Sequence, residues 1–323
     1  MYKIAIVGAG QLGSRHLQGV LKINVPVEVE VVDPNTQSLE LAEQRAGEIA
    51  LNDNIKSVRY INAISGLSND IDICIIATTA NVRYSILSEL VGSKKIKNLV
   101  LEKVLFQKLS EYTLTLDLIE KNNIKCWVNC PRRMMPVYTE IRSLISPGEK
   151  ITYTVVGGEW GLACNAIHFI DHLNFLNGTT GFTYDTSGIY DVVEGRRKGN
   201  YEFWGSVLGR SNGSELFLHS RGDCGAGWKI EILTNKYLWQ IDEVNGTLTT
   251  SSSVDSWKPL VSRFDFLYQS QLTNVVCENI LLKGDSGLTP YAISSELHQE
   301  MLNSFIPLFN EKTGGNIDYC PIT

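Results

Sequence analysis

The residues best suited to chemistry fall in three stretches. The first is MYKIAIVGAGQLGSRH, Met1 to His16, where an apolar run from Ile4 to Val7 leads directly into Gly8, Gly10 and Gly13. Such spacing after a buried strand predicts a dinucleotide-binding turn: Gly8 for the tight bend, Gly10 for close approach of a pyrophosphate, Gly13 for packing of helix on strand. The first helical amides, at Gln11 and Leu12, then meet the phosphate charge at the positive end of a helix. A second apolar run, VEVEVV, ends in Asp33, twenty residues after Gly13, where a carboxylate accepts hydrogen bonds from ribose hydroxyls. No Arg or Lys occurs from Pro34 through Ala42 to attract an additional phosphate, so Asp33 favours NAD over NADP.

The second stretch is Glu102-Lys103, at the end of a predicted strand. An ammonium there can hydrogen-bond a substrate hydroxyl or carbonyl and, once desolvated, take part in proton transfer. A solvated acid-base pair at a strand end is the plainer alternative. Thr78-Thr79-Ala80-Asn81 also follows an apolar strand, and Thr78, Thr79 and Asn81 either cap the next helix or set small polar groups against the cofactor.

The third stretch is GLACNAIHFIDHLNFL, Gly161 to Leu176. At helical spacing Cys164, His168, Asp171 and Phe175 fall on one side, and Ala166, Phe169, Ile170 and Leu173 form the opposite apolar stripe. His168 is then the proton-transfer candidate and Asp171, three residues on, its orienting partner. Cys164, His168 and His172 have a spacing that a metal could use, but His172 veers from the shared face and no CxxC or HExxH accompanies it, so no metal is expected. Trp160, Asn165, Arg132, Arg133 and Tyr138 are further lining candidates. Arg132 and Arg133 suit carboxylate or phosphate recognition, or simply a solvated helix start. Arg196, Arg197 and Lys198 read as a basic surface turn.

These residues need positioning elements, and the pattern supplies them. Strands are predicted at Ile4 to Val7, Val29 to Val32, Val58 to Ile61, Ile71 to Ala77, Leu99 to Leu101 and Ile124 to Val128, alternating with helices at Gln11 to Leu21, Thr36 to Glu48, Asn81 to Val91 and Leu109 to Asn122. That alternation implies a doubly wound parallel sheet over residues 1–129, with ligands at the carboxyl ends of its strands. From residue 130 to 323 the character changes. A helix from Pro131 to Leu144 precedes strands at Phe203 to Leu208, Ser214 to His219, Trp228 to Leu233 and Tyr237 to Ile241, with turns at Asn212-Gly213 and Asn245-Gly246. Helices near Phe264 to Leu282 and Tyr291 to Phe309 close an α+β domain on a mostly antiparallel sheet.

Composition narrows the classes. The 323 residues, 43% hydrophobic and 20% charged, suit one large or two ordinary globular domains. A net charge of −6 argues against a nucleic-acid surface. Seven cysteines without a CxxC pair suggest a reduced, cytoplasmic chain. The chain enters a strand within three residues, leaving no room for a signal peptide, and no apolar run approaches a membrane span.

GAGQLGSRH, Asp33, EKV at 102–104 and NAIHFID, in that order and with the closing GLTPYAISSELHQEMLNSF segment, resemble the Gfo/Idh/MocA family of NAD(P)-dependent oxidoreductases. The resemblance implies a Rossmann domain followed by an α+β domain whose open sheet mediates a homodimer or homotetramer. It also implies hydride transfer to or from a sugar, cyclitol or sugar nucleotide. The family's Glu-Lys-Pro maps onto Glu102-Lys103-Val104, which makes Lys103 the catalytic or substrate-orienting lysine, with Val104 in place of Pro. Its Asp-x-x-x-His pair maps onto Cys164 and His168, so the histidine is kept and the acid is not. The segments VNCPRRMMPVY and EGRRKGNYEFWG resemble members associated with surface-sugar biosynthesis. Within the family the alternatives to a dehydrogenase are a non-catalytic dinucleotide-binding sensor and an enzyme that recycles a cofactor it never releases.

Overall fold

The computed structural model describes all of residues 1–323. The chain divides into two compact units, the first comprising Met1–Phe106, Ser110–Met134 and Leu267–Ser294, the second Gln107–Leu109, Met135–Phe266 and Ser295–Thr323. A single cut after residue 129 does not describe this division, because a late segment returns to the first unit.

In the first unit, β1 (Tyr2–Val7), α1 (Gln11–Val20), β2 (Val27–Val32), α2 (Thr36–Ala46), β3 (Ile55–Ile61), β4 (Asp70–Ile76), α3 (Ala80–Ser93), β5 (Lys95–Glu102), α4 (Ser110–Lys121) and β6 (Lys125–Asn129) alternate as the apolar runs imply. Six strands pair in parallel in the order β6-β5-β4-β1-β2-β3. From β1 the strand order proceeds outward in two directions, through β2 and β3 on one side and β4, β5 and β6 on the other, which leaves a crevice at the carboxyl end of β1, where Gly8 follows Val7. The carboxyl halves of β1, β4 and β5 are buried on both faces, which explains runs such as Ile73–Ile76 without polar alternation.

The late segment contributes α7 (Gln269–Lys283) and a two-residue edge strand, β16 (Thr289–Pro290), antiparallel to β6. Helical periodicity reveals that α7 has a buried face but not which sheet receives it. Val276, Cys277 and Ile280 join Leu17 and Val20 of α1 and Ile4, Ile6 and Val29 of the sheet in one core.

The second unit holds α5 (Pro136–Ser143), β7 (Thr152–Gly158), α6 (Leu162–Asn177), β8 (Thr183–Asp185), β9 (Ile189–Glu194), β10 (Tyr201–Ser211), β11 (Ser214–Arg221), β12 (Lys229–Leu233), β13 (Tyr237–Asp242), β14 (Thr247–Ser252) and β15 (Leu260–Arg263). The helix expected from Pro131 to Leu144 is split: a 3₁₀ turn spans Pro131–Met134, and α5 restarts at Pro136. The residue before a proline is pushed out of helical backbone, and Met135 is extended at φ −82°, ψ 132°. The nine strands form one sheet in the order β15-β14-β13-β12-β7-β11-β10-β8, with β9 also on β10, and only β7 and β11 run parallel. The β10-β11 hairpin turns at Asn212 and Gly213, both with positive φ. Five strands, β7, β8, β9, β14 and β15, escape sequence reading; β14 is all Thr, Ser and one Leu, and β8 has three residues. Alternation survives where one face is covered, as in β12, where Ile230 and Ile232 point inward. The last helix, α8 (Tyr291–Thr313), buries Phe305 edge-on to Phe203 of β10, with ring centres 5.1 Å apart.

Candidate active site

The glycine loop is built as its spacing requires. Gly8 has φ +94°, and its N–H donates to the Val32 carbonyl at 2.8 Å, locking the end of β1 to β2. A Cβ on Gly13 would lie 1.7 Å from the Gly8 carbonyl oxygen, so only glycine lets α1 start this close to the turn. A Cβ on Gly10 would meet nothing within 4 Å, and Gly10, the N-cap of α1, offers no side chain to the first-turn amides. The half-exposed Asp33 takes the Ala9 N–H on Oδ2 at 2.7 Å and the Asn35 N–H on Oδ1 at 2.8 Å, tying β2 to the loop. Beside the loop, Thr78 Oγ1 is buried without a hydrogen-bond partner, and Thr79 is the N-cap of α3 but makes no side-chain cap bond. Asn81 is exposed on the first turn of α3. An uncapped helix start, open space at Gly10, an acid at the end of β2 and an unused threonine hydroxyl fit a dinucleotide diphosphate with its ribose.

Sequence reading stopped at Ala42 and missed Arg45 on α2. Its guanidinium donates to Gln11 Oε1 and Ser14 Oγ, each at 2.6 Å, so it braces the start of α1.

At the end of β5 the solvated-pair alternative fails for Glu102, which is only 3% exposed; Lys103 is half-buried. Glu102 Oε1 accepts from Asn129 Nδ2 and meets His16 Nε2 at 2.8 Å. Burial by itself would raise the Glu102 pKa, but the His16 hydrogen bond and charge, the Asn129 hydrogen bond and the Arg83 charge outweigh it, leaving the carboxyl below its ordinary range. Beyond Lys103, the fully buried Arg83 donates to the carbonyls of Val104, Leu105 and Thr78. Burial lowers Arg83 to about 10, against the opposing pull of Glu102 and Tyr112, so it stays charged at neutral pH. The Lys103–Val104 peptide is cis. Arg132 also belongs to the first unit and is buried in the 3₁₀ turn after β6.

Trp160, Asn165, His168 and Asp171 lie in the second unit on α6 and the loop before it. Gly161, left-handed at φ 74°, caps α6 without a side chain, and the Glu202 carboxylate of β10 accepts the Ala163 N–H at 3.0 Å instead. Trp160 Nε1 donates to the His219 carbonyl at 2.8 Å, and Asn165 Nδ2 donates to the Trp160 carbonyl at 2.8 Å. The helical-wheel reading needs correction at one position. Cys164, Asn165, His168 and Phe175 are half-buried along one side, but Asp171 is fully buried. A helix covered nearly all round has no free polar face for Asp171 to share.

His172 is fully buried too. Its Nδ1 pairs with the Tyr153 hydroxyl at 2.7 Å, and its ring lies 4.1 Å, centre to centre, from that of Tyr138. The Tyr138 hydroxyl donates to Glu243, whose other oxygen accepts from Trp228 Nε1 at 2.9 Å. No group of three or more His, Cys, Asp or Glu side chains is placed to hold a metal ion. Glu202, Glu243 and Tyr153 carry no local motif, and His16 ends the glycine-loop motif without a role read from it; their importance arises from strand pairing and helix packing.

Comparison with known proteins agrees with this geometry. Residues 2–130 match the model of the oxidoreductase family with an NAD-binding Rossmann fold, Gfo/Idh/MocA. Comparison of the sequence with curated proteins finds no match. Among solved structures, an oxidoreductase from Agrobacterium radiobacter in complex with NAD+, L-tartaric acid and magnesium aligns over 98% of both chains, with TM-score 0.71 and 15% identity. UDP-N-acetylglucosamine 3-dehydrogenase from Acidithiobacillus ferrooxidans aligns over 94% of this chain and 96% of its own, with TM-score 0.66 and 13% identity. The transcriptional regulator Gal80p from Kluyveromyces lactis aligns over 96% and 92%, with TM-score 0.69 and 12% identity. At such identities the likeness is one of fold, and it extends over both units. The glycine loop, the parallel sheet and the family match together place residues 2–130 in the Gfo/Idh/MocA oxidoreductase family as its NAD-binding Rossmann domain.

Proposed function

We propose that the protein is an NAD-dependent oxidoreductase acting on a hydroxyl or keto carbon of a sugar, cyclitol or sugar nucleotide. The observation that carries the reading is Glu102-Lys103 at the carboxyl end of β5, on the same sheet edge as the glycine loop, with its acid buried and hydrogen-bonded. Gly8, Gly10, Gln11, Leu12 and Gly13 would hold the diphosphate, Asp33 the adenosine ribose, and Thr78, Thr79, Asn81 and Glu102 the remainder of the dinucleotide. Asp33 and the absence of basic residues from Pro34 through Ala42 favour NAD over NADP. When bound, the nicotinamide supplies a hydride acceptor or donor.

In the oxidation direction Lys103 or His168 takes the hydroxyl proton as the substrate carbon gives up its hydride. Asn165, Trp160 and Arg132 complete the substrate contacts, and the fully buried Asp171 orients its helix neighbours. The exposed apolar residues Val156 and Leu233 on the second sheet, with Leu260 and Val261 on its edge strand β15, support a homodimer or homotetramer formed through that sheet.

The reading is tested by mixing protein and NAD with a panel of sugars, cyclitols and sugar nucleotides and following nicotinamide absorbance through one turnover. Reduction by any of them supports it; NADH binding without turnover in either direction overturns it. That second outcome would favour a dinucleotide-binding sensor, a reading supported by the fold shared with Gal80p and by Cys164 in the position where the family carries an acid.

A further inference from the structure

His16 closes the GSRH segment and takes no part in the roles assigned above, yet its ring is 1% exposed and every polar atom on it is engaged. It lies three residues beyond Gly13 on α1. Three residues further, a Cβ on Gly19 would fall 2.6 Å from Thr273 Cβ, so the missing side chain lets α7 approach until Thr273 Oγ1 stands 3.1 Å from His16 Nδ1. Thr273 Oγ1 also lies 2.9 Å from the Gln269 carbonyl, one turn back on α7. Gln269 Nε2 donates to the same hydroxyl at 2.9 Å and stands 3.4 Å from Nδ1, at the limit of any bond. On the other side of the ring, Nε2 donates to Glu102 Oε1. The ring thus bridges a buried carboxylate on one side and a hydroxyl on the other, and its hydrogen bond helps to satisfy an acid that would otherwise be costly to bury.

The consequence falls on Lys103. Its chain neighbour on one side, Glu102, is anchored by His16 from α1 and by Asn129 from β6, which in turn donates to Gln269 Oε1 of α7 at 2.7 Å. On the other side, the carbonyls of Val104 and Leu105 are held by Arg83 from α3. Arg83 and His16 are the basic groups that act on Glu102, and the partners from β6 and α7 are neutral. We propose that His16 is a positioning residue: by holding Glu102 it ties the helix that follows the glycine loop to the strand end that carries Lys103, so that dinucleotide binding and the setting of Lys103 depend on each other. The proposal rests on the oxidoreductase reading above.

Two measurements on the full chain test it, neither requiring turnover. NADH affinity is read from NADH fluorescence, and the reactivity of the Lys103 amine from competitive acetylation followed by mass spectrometry, with the exposed Lys56 as internal control. His16→Ala and Glu102→Gln are expected to weaken NADH binding about tenfold and to change Lys103 labelling at least threefold relative to Lys56. His16→Gln, which keeps one N–H for Glu102, recovers a substantial part of both. Saturating NADH changes Lys103 labelling in the wild type and leaves it unchanged in His16→Ala. If His16→Ala fails to fold, Thr273→Val, which removes the hydroxyl partner of Nδ1, is measured in its place. A folded variant with wild-type NADH affinity and wild-type Lys103 labelling overturns the proposal. Absence of NADH binding by the wild type would instead overturn the oxidoreductase reading, while labelling of the unliganded variants still decides whether His16 sets Lys103.

Discussion

Each unit buries a histidine on a helix against its sheet, and the two are treated differently. His16 in the first unit faces a carboxylate, Glu102, and sits one residue away in the network from the candidate catalytic Lys103. His172 in the second unit faces a phenol, Tyr153, under the ring of Tyr138. A carboxylate partner brings charge into the interior and makes the cluster sensitive to protonation and to the loss of either member. A phenol partner satisfies a ring nitrogen and fills volume, which stiffens α6 beneath His168 without a charge to balance. The contrast separates a histidine suited to adjusting a site from one suited to supporting it.

The sharpest way to break this contrast is at the residues the clusters serve. Lys103→Ala and His168→Ala are each expected to lower single-turnover hydride transfer by about 10²- to 10⁴-fold, as loss of a proton-transfer group does, with NADH affinity little changed for His168→Ala. Near-normal turnover in both would remove the chemistry from these positions.

Next in size is the stability cost of the clusters themselves. His16→Ala strands a buried carboxylate and should destabilise the fold by about 3–5 kcal/mol in urea unfolding at pH 7. Because the folded-state pKa of Glu102 is depressed, the stabilisation it provides is complete above the ordinary glutamate range of about 4.3 and is lost as pH falls through the lower folded value. The wild type should therefore lose more stability than His16→Ala between pH 5 and strongly acidic solution, and parallel unfolding curves would refute the role of His16 in holding Glu102 ionised. Tyr153→Phe removes only a neutral hydroxyl from His172, for an expected cost of about 1–3 kcal/mol.

The smallest effects sharpen the reading of the sheet edge. Asn35 accepts N–H groups of α2 at Gln37 and Ser38, so Asn35→Ala should cost about 1 kcal/mol. Thr79 stands at the equivalent position of α3 without such a bond, so Thr79→Ala should alter stability by only a few tenths of a kcal/mol while weakening NADH binding. A full capping cost at Thr79, measured in the same unfolding assay, would return that residue to a structural role.

Much of the first unit was legible because its determinants are local. The glycine spacing, the acid after β2 and the apolar runs buried on both faces are short-range consequences of covalent geometry and hydrophobic burial, and they determine a Rossmann sheet and its nucleotide loop. The pairing of Lys103 with a preceding acid is equally local. The sequence did not determine that α7 belongs to the first unit, that Asp171 is buried, or that His16, Glu202 and Glu243 matter, because each depends on partners far along the chain. His16 meets Glu102 and Thr273, 86 and 257 residues away, and only tertiary packing, made close by the missing side chain of Gly19, brings them within hydrogen-bonding distance. Local pattern specifies which elements form and which faces are apolar; the folded chain decides which polar groups lose water together, and that desolvation gives them their chemistry.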